Sequence, residues 1–217
     1  MAKQEMLIEL ARKRQQSRLD GYACIGDFHN GIFECDFVSP WTKSGCNLDA
    51  AVMIIGQDWT SEDNLSGPTP DHDSLHLGYS RKWPTNRNLD DLLLRHFALN
   101  RADCYLTNIF PFIKPGGATS NIRVRDLVHC AREYTLPEIE IVQPRIAICL
   151  GKVTFVALAR ATKHVEPRTM SDAVSNPFIH RQTSIHCVAH TGALGMNNRG
   201  RQQVDRDWQA LAAKLLS

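Results

Sequence analysis

The chain has 217 residues and a net charge of +2, with 43% hydrophobic and 22% charged side chains. That balance excludes a disordered or fibrous protein, and so mild a charge does not announce a nucleic-acid partner by itself. No run approaches the ~18 apolar residues of a membrane span, and the opening "MAKQEMLIELARKRQQSRLDG" is charged where a signal peptide is apolar, so a cytoplasmic protein without membrane contact is expected.

The seven cysteines form no CxxC pair and read as reduced thiols, with Cys104, Cys149 and Cys187 as small core residues. In chain order, Met6, Leu7, Leu10 and Leu19 mark an amphipathic helix, and Arg12, Lys13 and Arg14 read as its solvated face. Residues 20–49 are irregular. Short apolar runs closed by a glycine or a polar residue follow at "AAVMIIG", "CYLTNIF", "RIAICLG" and "SIHCVAH", the pattern of strands buried on both faces. Helical patterns lie between and after them: "NRNLDDLLLRHFAL", "NIRVRDLVHCAREYTLPEIEIV" with a break expected at Pro137, "KVTFVALARAT" and "QQVDRDWQALAAKLL". The alternation predicts an α/β fold, a three-layer α/β/α sandwich with a mostly parallel central sheet of about four strands. One domain over residues 1–217 is expected, with 1–49 as a helix and irregular extension packed on it.

The stretch "DWTSEDNLSGPTPDHDSLHLGYSRKWPT", 58–85, is long for a connection inside a domain, as functional loops often are. In open parallel sheets ligands bind at the carboxyl ends of the strands. Those ends carry Gln57 and Asp58, Asn108, and His190. Taken singly, Asp58 reads equally as a turn former or helix cap and His190 as a structural hydrogen-bonder. Asn108 fits a structural role least, because its amide needs partners that apolar neighbours do not offer.

Taken together these segments resemble the uracil-DNA glycosylase superfamily over roughly residues 50–210, and their order most resembles its family 1. "GQDWT", 56–60, is similar to the water-activating Gly-Gln-Asp-Pro-Tyr loop, which implies Asp58 as the catalytic carboxylate that places the water and Gln57 and Trp59 beside the base. "LGYS" places Tyr79 where the family has its base-stacking ring, and "YLTNIF" places Asn108 at the uracil-reading position. "WPTNRNLDDLL" resembles the loop that pinches the DNA backbone, implying contacts from Pro84, Thr85 and Arg87. "AHTGALGMNNRG" resembles the His-Pro-Ser-Pro-Leu-Ser loop, aligning His190 with the histidine at the leaving base and Leu194 with the wedge, and Thr191 and Gly192 with phosphate contacts. "TNIFPFIKPGGATSNIR" is closer to a family 4 pattern.

Two departures stand out. Trp59-Thr60 replaces the Pro-Tyr whose tyrosine excludes thymine, a task that falls to Trp59, and Thr191-Gly192-Ala193 replaces Pro-Ser-Pro. Family 4 enzymes carry an iron-sulfur cluster on four cysteines. Here Cys24, Cys35 and Cys46 are widely spaced without a clear fourth, so neither a cofactor nor a metal is expected.

The resemblance implies a monomeric repair enzyme whose partner is uracil-containing DNA. It flips the uracil out and hydrolyses its N-glycosidic bond, with Lys114, Arg199, Arg81, Lys82, Arg87 and Arg201 as the basic residues nearest DNA. Two rival readings remain: a DNA-binding module of this fold without chemistry, and a metal-dependent hydrolase using Asp71, His72, Asp73 and His76 of "DHDSLH".

Overall fold

The computed structural model describes residues 1–216 of the chain. Five strands, β1 Val52–Asp58, β2 Tyr105–Phe110, β3 Ile146–Leu150, β4 Phe178–His180 and β5 Thr183–Val188, form one sheet in the order β2-β1-β3-β5-β4. Four run parallel, and β4 pairs antiparallel with β5 at the edge. β4 adds to the four strands expected from the sequence. It is three residues long and its central Ile179 is exposed, so no apolar run announces it.

Successive strand residues point to opposite faces, and each face of this sheet has its own core. Met53, Ile55, Ala147, Cys149, Ile185 and Cys187 pack on one side, Val52, Ile54, Leu106, Ile146, Ile148 and Val188 on the other. The chain supplies ten helices among the described residues: α1 Lys3–Gln16, α2 Glu62–Leu65, α3 His72–Leu77, α4 Pro84–Leu92, α5 Val124–Cys130, α6 Leu136–Val142, α7 Lys152–Ala161, α8 Met170–Ser175, α9 Ala193–Arg199 and α10 Arg201–Leu216. Helices α1, α5, α6 and α7 cover the first face, α4, α9 and α10 the second. Among the described residues no helix is long and apolar enough to cross a membrane.

Two expectations are corrected. Pro137 does not break its helix: it sits in the first turn of α6, where its missing N–H is harmless, and a π turn over Ala131–Thr135 joins α5 to α6. Arg14 is not solvated. It is 1% exposed, ion-pairs with Glu34 and donates to the Cys35 and Phe37 carbonyls, so it pins the irregular segment to α1.

Glu138 of α6 is fully buried under β2, where both oxygens accept hydrogen bonds, from the Tyr105 and Thr107 hydroxyls at 2.8 Å each. Burial outweighs these bonds and pushes its pKa from 4.5 up to about 8. The folded protein thus holds a proton that the unfolded chain has lost. The associated stability is full below pH 4.5 and disappears as pH rises through about 8. Glu138→Gln, which cannot ionise, is therefore expected to gain on the wild type steadily across that interval in urea unfolding. A difference independent of pH would show that Glu138 is ionised in the fold.

Candidate active site

Ile55, Cys149 and Cys187 lie on one rung of the sheet, and Asp58 and His190 each follow that rung by three residues. Asp58 and Asn108 also share the alternation of Ile54 and Leu106, residues of the core under α4 and α10, and His190 follows Val188 and Ala189, which belong to that same core. The sheet thus delivers all three to one end, with Asp58 and Asn108 on one face.

β1 continues past its apolar run to include Gln57 and Asp58, so the carboxylate is largely buried, with 13% of its side chain exposed. A charge in that position needs a partner. Lys114 Nζ meets Asp58 Oδ2 at 3.0 Å, and Gln57 Nε2 donates to Oδ1 at 2.9 Å. Lys114 is held in turn by a bridge between its backbone and Ser61 and by donating to the Ala118 carbonyl at 2.8 Å. Its side chain is 4% exposed, which corrects the expectation that it grips a phosphate.

Asn108 sits beside Gly56 in the β1–β2 register, and its Oδ1 accepts from the Ser39 hydroxyl at 2.6 Å. A Cβ on residue 56 would lie 2.4 Å from Asn108 Nδ2 and 3.2 Å from the Trp41 ring, so only glycine leaves the amide room. Ser39 and Trp41 belong to the irregular extension that the sequence left without a role.

His190 stands on the open side of the site. Crowding by surrounding protein pulls its pKa below the ordinary 6.5, while Asp58 acts in the opposite direction and Lys114 in the same one. The two strand ends therefore feel each other electrostatically. His190 Nδ1 accepts the Gly192 N–H at 3.0 Å, which leaves the neutral ring with its proton on Nε2. A Cβ on Gly195 would fall 2.2 Å from the His190 carbonyl, and one on Gly151, at the end of β3, 3.6 Å from its Cβ.

The His190 loop is fastened to α4. The Thr191 hydroxyl donates to the Thr85 carbonyl at 3.0 Å, and Asn88 Nδ2 donates to the Thr191 carbonyl at 2.7 Å. Thr191 is buried and the Gly192 amide is spent on His190, so neither is free for a phosphate as expected. Arg199 is likewise committed, to Asp207 at 2.8 and 3.2 Å and to Ser171 at 2.8 Å. Leu194, 71% exposed on the first turn of α9, projects freely. Pro84, Arg87, Arg81, Lys82 and Arg201 are exposed around the same end, with Thr85 half-buried between α4 and the His190 loop.

Tyr79 is half-buried, with the Arg101 guanidinium 4.0 Å from its ring centroid. Arg101, which sequence reasoning passed over, is fixed by Asp90 and by the backbone and side chain of Asn86. The Trp59 indole donates to the Gly78 carbonyl at 2.8 Å and meets Phe33 edge-on at 5.5 Å. The "DHDSLH" carboxylates are occupied: Asp71 caps α3 and Asp73 pairs with Arg81. Among the described residues no three His, Cys, Asp or Glu side chains gather as metal ligands.

Residues 43–212 match the uracil DNA glycosylase superfamily. The chain belongs to that superfamily. Among curated proteins none matches it closely enough to count as a relative. Membership supports a glycosylase-type hydrolase acting on DNA, and the five-stranded, mostly parallel sheet with helices on both faces accords with the superfamily's α/β fold.

The Asp58–Lys114 pair yields a direct expectation for this superfamily member. Removing one partner of a nearly buried ion pair strands the other, at a cost of about 3 kcal/mol. Lys114→Ala should lower the unfolding free energy by that order, and adding Asp58→Asn to it should restore most of the loss. Equal losses in the single and double variants would mean that the two charges are not coupled.

Proposed function

We propose that this protein removes uracil from DNA by hydrolysing its N-glycosidic bond. The observation that carries this reading is the placing of a charge-compensated carboxylate, Asp58, and an imidazole whose Nδ1 accepts the Gly192 N–H, His190, at one end of the sheet beside β3, with the Asn108 amide on the Asp58 face.

Uracil inside a duplex is out of reach, so it must be extruded, and exposed Leu194 is suited to fill the gap it leaves. Tyr79, backed by Arg101, offers its ring for stacking on the base. Asn108 Nδ2 donates to the uracil O4 while Oδ1, which keeps a second lone pair beside the Ser39 bond, accepts from N3–H. Cytosine presents the opposite pattern and leaves buried polar groups unmatched.

Rupture of the glycosidic bond places positive charge on the sugar and negative charge on the base O2. The neutral His190, with its proton on Nε2, donates to O2 without having to give up a charge. Asp58 faces the cationic sugar and orients the attacking water, while Gln57 and Lys114 hold its two oxygens in place.

Asp58→Asn and His190→Ala are each expected to slow uracil release from a single-uracil oligonucleotide by roughly 100-fold or more, with melting curves checking the fold. Asn108→Asp is expected to gain activity on cytosine. A wild type that binds such DNA without releasing uracil is a binding module, and full activity in either catalytic variant removes that residue from the reaction.

A further inference from the structure

Next along the chain to the residues of the proposed uracil site lies a cleft of about 320 Å³, lined by Phe33, Trp59, Thr60, Asn64, Lys82 and Trp83 among others. Its position in the chain is telling. Trp59 follows Asp58, Ser80, which also lines it, follows Tyr79, and Trp83 precedes Pro84, so three lining residues each adjoin a side chain assigned to uracil or its backbone. The cleft therefore borders the segments that carry the proposed uracil site.

Its chemistry suits a heterocycle. Phe33 and Trp59, in edge contact at 5.5 Å, form an aromatic lining, and Trp83 is 51% exposed at the lip. Thr60 and Asn64 supply donors and acceptors. Lys82, with 83% of its side chain exposed, stands at the rim 3.3 Å from Asp71. The volume falls at the lower end of the ~300–1,000 Å³ of small-molecule sites, enough for one base and too little for a folded partner element.

We infer that this cleft binds the nucleobase adjacent to the extruded uracil, stacked against Trp83, with Lys82 near the intervening phosphate. This rests on the uracil-excision reading and extends it to a substrate preference. Within a duplex that neighbour is paired and stacked, so the cleft favours single-stranded substrate.

The test uses single-stranded oligonucleotides with one uracil whose 5′ or 3′ neighbour is either a base or a tetrahydrofuran spacer. For the wild type kcat/KM should fall about tenfold when the spacer replaces the base on one side, a loss of the size that base–aromatic stacking gives. Trp83→Ala, an exposed change, should treat base and spacer alike. Equal rates of the wild type on all these substrates, or undiminished discrimination by the variant, would overturn the inference. Placing 2-aminopurine at the neighbour position separates this outcome from a failure of the glycosylase reading. Fluorescence quenched by the wild type and not by Trp83→Ala, without any uracil release, would uphold the cleft and refute excision. Excision indifferent to the neighbour would do the reverse.

Discussion

A carboxylate at the end of a buried strand survives folding only if a positive charge meets it, and Lys114 is that charge. Much of the site's construction follows from this pair. The backbone around Lys114 bridges to Ser61 and accepts from Glu62 N–H at 2.9 Å, which ties the segment after β2 to the one after β1 and directs the long loop outward from Asp58. Lys114 also adds to the electrostatic surroundings that keep His190 neutral. One residue thus steadies the acid and biases the imidazole through its ammonium and shapes the loop through its backbone.

Close packing at the strand ends does the rest. Gly56, Gly192 and Gly195 occupy positions where a Cβ would fall within 3 Å of Asn108 or His190 atoms, so the polar side chains lie flat against bare backbone. The α4 helix holds the His190 loop through Thr85 and Asn88, in place of the rigidity that prolines give in the family pattern. Flexibility implied by the Thr-Gly-Ala sequence is removed by tertiary hydrogen bonds.

The four parallel strands were legible because burial on both faces makes them continuous apolar runs, and strand alternation puts Asp58 and Asn108 on one face while the end of β5 leads to His190. β4 was not legible, since an exposed three-residue edge strand carries no pattern. Lys114, Thr191 and Arg199 were read as DNA contacts because basic and hydroxyl residues near a motif loop look solvated in sequence. Their partners Asp58, Thr85 and Asp207 are set by tertiary pairing that spacing does not show. Ser39, Trp41 and Phe33 come from the irregular extension, and Arg101 from outside every motif, so no local signal marks them. Gly56 read in sequence as the close of its strand, whereas β1 runs on through it to Asp58 and the missing Cβ makes room for Asn108.

The account requires that Asp58 and His190 share one electrostatic environment. Titration of the His190 ring by NMR measures this directly. The account predicts a pKa below 6.5 in the wild type, because desolvation by the crowded surrounding protein, with Lys114, outweighs the opposing pull of Asp58, and a still lower one in Asp58→Asn. A His190 that titrates at its ordinary value and ignores the substitution would contradict it.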